Sequence, residues 1–447
     1  MKYFLLPFGC QMNLSDTERV RTVFKQMGFE PTDNEEEANI LGIIACSVRQ
    51  KGIDKVYGRI EKWNAMKNRQ NVITFVSGCI LPADRVRFLK LFDLVFTMNE
   101  LPQLPEMIRQ YGIVTPAALD KINPSATMEP FWEICPMRAS TFEAYIPIQN
   151  GCNNFCTYCA VPYTRGREVS RPSEEILNEV KELVEKDYKS ITLLGQNVNS
   201  YGLDKKGEEI DFAELLRRIG EYGKASGKEF WVYYTAPHPR DMKDEVIEVM
   251  SQYDCLGKQI HIPIQSGDDV MLQRMNRHHN LETYRHIIQT IRRVLPSATI
   301  FTDIIVGFTH ESEEEFENTR KAMEEFKYNM AYIAQYSVRE GAVASKWEDD
   351  IPKEVKRQRY HRLTEELMKH SLIYNQALVG TTVKMLVEDY DRKNGYLTGH
   401  TEGKIVIRFA SKDESLIGKI VTVKVTSASA LSIEGSVMAR RNDEAIH

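Results

Sequence analysis

No stretch of the 447 residues reaches the roughly 18 consecutive apolar residues that a membrane helix needs. The opening MKYFLLPFGC passes from a short apolar run straight into polar sequence. It has neither the longer core nor the small-residue cleavage site of a secretory signal, and reads as a first strand. The chain is therefore expected in the cytoplasm, with no membrane role. Low-complexity tracts and internal repeats beyond strand–helix units are missing. So is an excess of positive charge: 58 Lys and Arg stand against 63 Asp and Glu, a formal net charge of -5, which gives no general support for nucleic-acid binding. Cysteine is scarce, at eight residues. A long charged chain is not a small disulfide scaffold, and in a reducing compartment clustered cysteines serve as metal ligands or catalytic groups.

What is present is an ordinary globular composition, 42% hydrophobic, long enough for two or three domains. The apolar runs YFLLPFG, ILGIIA, VITFVSG and LFDLVFT alternate with helical patterns such as 16–27, the signature of a parallel sheet covered by helices. The pattern lapses from 112 to 141, where Pro116, Pro124, Pro130 and Pro136 mark a linker. Alternation resumes with AYIPIQ, then ITLLG, FWVYYT, QIHIPI, TIFTDIIVG and MAYIAQYS, and predicts a full or partial (β/α) barrel. In the helix after Ser173, Ile176, Leu177, Val180, Leu183 and Val184 share one face. A polar helix runs from Pro352 to about Asn375. Beyond it VKMLVE, KIVIRF and VTVKVT, with glycines near the turns, predict a small antiparallel β-barrel. The fold class is α/β, divided as 1–115, a linker at 116–141, 142–374 and 375–440.

Cys152, Cys156 and Cys159 stand in the spacing C-x3-C-x2-C, directly after AYIPIQ and the pair Asn150-Gly151. Iron–sulfur clusters take thiolates, and one loop can wrap one cluster. Three ligands for four irons leave one iron open. Such an iron can chelate the amino and carboxylate groups of S-adenosylmethionine (SAM) and pass an electron to the sulfonium. A zinc site needs a fourth Cys or His, and the first His downstream is His238. A zinc knuckle completed from elsewhere is the competing reading.

Cys10, Cys46 and Cys79 look unrelated by spacing, yet each directly follows an apolar run: FLLPFG-Cys10, LGIIA-Cys46 and FVSG-Cys79. Parallel strands share one C-terminal edge, where ligands bind. Separations of 36 and 33 residues each fit about one βα unit. Three loops can therefore bring three thiolates to one point, again with an open iron. Buried structural cysteines are the alternative. Cys135 and Cys255 have no partner pattern and read as structural.

The central triplet's loop resembles the radical SAM superfamily. By that resemblance Tyr158 packs near the adenine of SAM, and Gly195, Gln196 and Asn197 lie where its amino group is met. Both triplets together resemble the methylthiotransferases, over essentially the whole chain. GCQMNLSD (9–16), ACSVRQ (45–50) and SGC (77–79) look like that family's N-terminal domain. GCNNFCTYCAVPYTRGREVSRP (151–172), LLGQNVNSYG (193–202), HIPIQSG (261–267) and TDIIVGF (302–308) look like its tRNA branch. The C-terminal module resembles the TRAM domain, a small RNA-binding barrel.

The resemblance implies two 4Fe-4S clusters and two SAM per turnover. It implies addition of a methylthio group to C2 of N6-isopentenyladenosine beside the anticodon, with the tRNA anticodon stem-loop as partner. One SAM would methylate sulfur at Cys10, Cys46 and Cys79. A second, cleaved at Cys152, Cys156 and Cys159, would give the 5′-deoxyadenosyl radical that takes the C2 hydrogen. An electron donor and a sulfur source of unknown identity are required, and a monomer is expected. The pattern departs at Thr309-His310, in place of Pro-Gly, and at Arg339-Glu340-Gly341-Ala342, in place of Arg-Pro-Gly-Thr. Sister branches act on threonylcarbamoyl-adenosine in tRNA or on a ribosomal-protein aspartate. A non-catalytic iron–sulfur RNA-binding protein is the alternative of another class.

Among polar residues, His238, His261, Gln265 and Ser266 sit beside strand ends and are candidates for SAM or substrate contact, or for plain backbone satisfaction. Arg165 and Arg167 follow the cysteine loop and could hold a phosphate or carboxylate. From 371 onward ten Lys and Arg face nine Asp and Glu. KRQRYHR (356–362) and Arg440-Arg441 are the densest basic stretches, a faint direct signal for RNA.

Overall fold

The computed structural model describes residues 1–46, 50–111 and 127–438. Positions 47–49 of ACSVRQ, Pro116 and Pro124 of the linker, and Arg440-Arg441 lie outside the described residues. Among those described, no helix is long and apolar enough to cross a membrane.

The N-terminal unit is a parallel sheet in the order β2-β1-β3-β4-β5: β1 (Lys2–Pro7), β2 (Glu30–Pro31), β3 (Ile40–Cys46), β4 (Ile73–Cys79) and β5 (Leu94–Val95). Its central strands are continuous apolar runs because both faces are covered. Ile40, Ile44 and Phe75 face Val20 and Phe24 of helix α1 (Gln11–Gln26), whereas Leu41, Ile43 and Val76 face Ile53, Ile60 and Trp63 of α2 (Gln50–Met66). LFDLVFT yields only the two residues of β5, because Phe92 and Phe96 are drawn into cores on opposite faces of the sheet.

Six further parallel strands follow. β6 (Glu143–Pro147), β9 (Ser190–Leu194) and β10 (Trp231–Tyr234) form one sheet; β11 (Gln259–His261), β12 (Thr299–Val306) and β13 (Met330–Gln335) form another. A parallel bridge between Val232 and Leu256 links the β10 edge to the chain leading into β11. One apolar core runs through both sheets and includes Ile146, Leu193, Val232, Ile260 and Ile304. This is the expected partial barrel. The run QIHIPI pairs only as far as His261, since Pro263 offers no N–H to a ladder. Between β6 and β9, the two-residue strands β7 (Gln149–Asn150) and β8 (Val169–Ser170) pair antiparallel and close the base of the cysteine loop.

The helix Lys353–Ala377 leads into a closed barrel in the order β14-β15-β16-β18-β17, made of β14 (Thr382–Tyr390), β15 (Tyr396–Thr401), β16 (Val406–Ala410), β17 (Ile420–Ala428) and β18 (Ser432–Val437). Four junctions are antiparallel, and β16–β18 is parallel. Two of these strands, YLTGHT and SIEGSV, carry too few apolar residues to be read from the sequence. The barrel docks at the beginnings of the central strands, where Tyr233 donates to the Glu402 carbonyl at 3.0 Å and Thr299 to that of Gly403 at 2.6 Å.

A charged seam joins the N-terminal unit to the central one. Arg138 meets both Glu18 of α1, at 3.0 Å, and Glu179; Arg171 reaches Glu179 as well. The Glu18 carboxylate also accepts the backbone N–H of Ala139 at 2.9 Å.

Candidate functional site

Cys46 and Cys79 end β3 and β4 and are register partners across the ladder. Cys10 stands two residues beyond Phe8, whose N–H donates to the Ile44 carbonyl at 2.8 Å, and it caps α1 in extended conformation. The free N–H groups at that helix end complement an anionic sulfur. Gly9 between them has φ +118°, and a Cβ there would fall 2.5 Å from Cys46 Cβ. Only glycine lets these two loops approach so closely.

Asn13, fully buried, fastens the arrangement. Its Nδ2 donates to the carbonyls of Phe8 (2.6 Å) and Ala45 (2.7 Å), and its Oδ1 accepts a 3.8 Å contact from the Cys79 thiol. Burial pushes the Cys79 thiol up to about 12, with Cys46 and Cys10 adding to the rise and Arg165 opposing it. The three expected cysteines are thus within electrostatic reach of each other.

Cys152, Cys156 and Cys159 lie on the loop above β7. The Cys152 N–H donates to the Gly166 carbonyl at 3.1 Å, and that of Cys159 to the Cys156 carbonyl at 3.0 Å. The segment 274–277, at the end of the helix Asp269–Arg274, supports this loop: Thr157 Oγ1 donates to the Arg274 carbonyl at 3.0 Å, and Asn276 Nδ2 to that of Phe155 at 3.0 Å. Arg277, buried, approaches Cys156 Sγ at 3.6 Å and Tyr158 Oη at 3.5 Å. Burial and the neighbouring thiols push Cys152 up to about 11 and Cys159 to about 12. Thiols so crowded must lose protons together when a cation takes their place, which couples loading to pH.

The loop depends on Gly151, at φ +86°, where a Cβ would sit 2.0 Å from the Arg167 carbonyl oxygen. Gly151→Ala is expected to displace Cys152 and to cut cluster iron at this loop by at least half, as read by iron analysis after anaerobic reconstitution; full loading would contradict it.

Of the other expected residues, Gln196 accepts the Gly151 N–H at 2.5 Å, and Gly195 lies against the Gln149 side chain. Asn197, fully buried, donates to Asp241 at 2.9 Å. His238 is buried and held neutral: desolvation, with Arg277 and His279 close by, depresses its pKa strongly. Its Nδ1 accepts the Arg240 N–H at 3.1 Å and its Nε2 has no partner. His261 and Gln265 come from the second sheet, and both meet Asp303. His261 Nε2 lies 3.0 Å from its carboxylate, beside Tyr332, and the Gln265 N–H donates to its carbonyl at 2.9 Å. Ser266 instead pairs with Thr319 at 3.2 Å, a structural contact. Cys135 and Cys255 stay apart; Cys255 packs against Gly223 and Cys135 only offers its carbonyl to Thr22.

Arg165 holds a carboxylate, as an arginine after the loop could, but the carboxylate is the chain's own Asp16, at 2.6 Å. Arg167 lies over the Phe155 ring at 4.5 Å. Both line a cavity of about 600 Å³ with Gly78, Arg85, Glu100 and Glu129, between the two units; none of the six cysteines lines it.

At the first departure, His310 takes the left-handed backbone (φ 61°) that glycine would supply, and both its N–H and its Nδ1 meet Asp350 at 2.8 Å. At the second, Glu340 faces Arg87 across the units at 3.2 Å.

Among the described residues no three His, Cys, Asp or Glu side chains are arranged to hold a single metal ion. A four-iron cluster spaces its ligand sulfurs more widely than one ion does. The donor set of each triplet is all cysteine sulfur, the usual ligand of four-iron clusters. Buried polar atoms without partners stand around the central loop: Asn154 Oδ1, Asn197 Oδ1, His238 Nε2 and Arg277 Nε. Unpaired groups of this kind are costly unless a ligand meets them, and they fit a polar cofactor.

Three family models match in series: "Uncharacterized protein family UPF0004" over 2–98, "Radical SAM superfamily" over 146–323 and "TRAM domain" over 376–438. Among solved structures, the radical S-adenosylmethionine methyltransferase TsrM from Kitasatospora setae superposes with a TM-score of 0.56 at 12% identity, covering 74% of this chain and 72% of that one; the likeness is one of fold. Curated relatives called tRNA-2-methylthio-N(6)-dimethylallyladenosine synthase are similar from end to end. The protein of Clostridium perfringens (strain SM101 / Type A) is 39% identical over 444 residues, 96% of each chain. That of Clostridium botulinum (strain Alaska E43 / Type E3) is 40% identical over 98% of this chain and 95% of its own. The chain belongs to the family of tRNA-2-methylthio-N(6)-dimethylallyladenosine synthases.

Proposed function

We propose that Cys152, Cys156 and Cys159 hold the four-iron cluster that binds SAM, and that Cys10, Cys46 and Cys79 hold a second, where sulfur is kept for transfer. The chain is a radical SAM enzyme that adds a methylthio group to C2 of N6-isopentenyladenosine in tRNA. The observation that carries the two-cluster reading is the meeting of three strand ends at Asn13. Three unrelated loops converge on one set of thiols, within reach of an arginine from the other triplet's loop.

When bound, the first cluster supplies the electron that cleaves SAM to a C2-hydrogen-abstracting 5′-deoxyadenosyl radical, and the second supplies the sulfur. The chain's own residues orient and shield. Gln196 fixes the start of the cysteine loop, and Asn197 Oδ1 and His238 Nε2 are free to meet SAM. Tyr158, packed edge-on against Phe308, stands at the adenine side. The His261–Asp303 pair with Tyr332 presents polar atoms for the remaining cofactor or base edges.

Two SAM are used per turnover, one giving its methyl group and one its radical. The anticodon stem-loop is the part of tRNA engaged, with an electron donor and a sulfur source as further partners, for a cytoplasmic monomer. The working units are 1–115, 142–374 and 375–440, with 116–141 linking the first two.

Anaerobic reconstitution tests the second cluster. The full chain is expected to hold about eight irons, and Cys10→Ala about four. Four irons in both would sink the second cluster.

A further inference from the structure

Arg165 reaches from the loop of the central triplet to the strand end that carries Cys79. It closes the helix Val161–Thr164, which begins two residues after Cys159 and whose first N–H donates to Cys159 Sγ at 3.4 Å. From there its guanidinium leaves the central unit. Nε donates to Cys79 Sγ at 2.9 Å, Nη2 to Asp16 at 2.6 Å and to Asn13 Oδ1 at 3.2 Å, and Nη1 to Asn150 Oδ1 at 3.2 Å. The arginine side chain is 5% exposed and Asp16 fully buried.

A buried guanidinium is costly unless paired, and one carboxylate would have sufficed. This one instead spends its Nε–H, the donor in the plane of the fork, on a sulfur. Asn13, which ties the three strand ends, takes its next donor. Asp16 has its second oxygen, Oδ1, without any partner. The group is thus built around the sulfur and not around an optimal ion pair.

Resting on the two-cluster reading, we propose that Arg165 is a positioning residue that aims Cys79 and sets the reduction potential of the N-terminal cluster, with Asp16 opposing it. The physics is electrostatic. An N–H donated to a ligand sulfur and a positive charge beside it both favour the more negative, reduced cluster, and raise its potential. A buried carboxylate next to that charge offsets part of the effect. A role limited to fastening the two units would leave the potential alone.

The test uses the full-length chain carrying Cys152→Ala, Cys156→Ala and Cys159→Ala, so that only the N-terminal cluster can load, with the potential read by dye-mediated titration. About four irons in this parent establish that the cluster exists; none would refute the two-cluster reading and not the assignment to Arg165. In a loaded parent, Arg165→Gln is expected to shift the potential to more negative values and Asp16→Asn to less negative ones. Opposite shifts support the proposal. No shift in either, or shifts of one sign, overturn it. Should Arg165→Gln not load, Asp16→Asn decides alone: an upward shift supports the proposal and an unchanged value overturns it. Loss of iron from both variants also overturns it, since a residue that tunes potential is dispensable for loading.

Discussion

Replacing Cys156 by alanine is expected to abolish 5′-deoxyadenosine formation, down to the level without enzyme, and to lower the iron content from about eight to about four per chain. Cys156 is the middle cysteine of its loop: its carbonyl accepts the Cys159 N–H, and its sulfur faces the buried Arg277 at 3.6 Å. Two thiolates cannot anchor a four-iron cluster against solvent, and Arg277 loses its sulfur partner. The N-terminal thiols come from other strands and keep their ties to Asn13, so their iron should stay. Cys79→Ala separates the two sites from the other side. It should leave SAM cleavage intact and stop methylthiolation. Full 5′-deoxyadenosine production by Cys156→Ala would contradict the assignment of the central triplet.

Glu179→Ala is expected to cost about 3–5 kcal/mol of stability, because it strands buried cations. Glu179 sits where Arg138 and Arg171 meet, at the seam between α1 and the central unit. Arg19 is close enough to feel the same carboxylate; it is buried, stacked over Phe131 at 5.1 Å, and its Nε and Nη2 have no partners. Desolvation has pulled Arg19 down to about 10. Without Glu179, Arg138 keeps Glu18 and Arg171 keeps only the exposed Glu175.

The pH dependence has a definite sign. Burial pushes the Glu179 carboxyl up, but Arg171, Arg138 and Arg19 together outweigh it and hold it below the usual 4.5. A depressed carboxylate contributes stability that is fully present above its unfolded pKa and lost as pH falls through the folded one. The difference between wild type and Glu179→Ala in thermal unfolding should therefore be constant from pH 7 down to about 4.5 and shrink below it. An equal difference at every pH would show that packing, not charge, is at stake.

Most of the architecture was legible from apolar runs. Parallel strands buried on both faces, such as Ile40–Cys46, announce themselves without periodicity. The expectations were weakest where a strand is specified by its neighbours. β15 buries Leu397, Gly399 and Thr401, and a Cβ on Gly399 would strike the Leu386 carbonyl at 1.9 Å, so this strand is defined by an absent side chain. At the candidate site, the grouping of the strand-end cysteines was readable because parallel strands share one C-terminal edge. Asn13 and Asp16 lay inside the motif GCQMNLSD, and Arg277 outside any quoted motif. Their roles rest on contacts as far as 152 residues away, such as Cys79 to Asn13 and Arg165 to Asn13. A polar residue on a helix face gives no signal of such partners, apart from an Asn and an Asp three and six residues after Cys10. RNA recognition was the least legible, since the net charge of -5 hides whatever basic surface the barrel presents.

The decisive measurement is mass spectrometry of the nucleosides of a tRNA bearing N6-isopentenyladenosine, after incubation with the anaerobically reconstituted chain, SAM, reductant and sulfide. Conversion to the 2-methylthio derivative in wild type, and its absence in both Cys156→Ala and Cys79→Ala, is the expected result. Isopentenyladenosine left unmodified while an enzyme with both clusters loaded forms 5′-deoxyadenosine would contradict the assignment of this adenosine as the substrate.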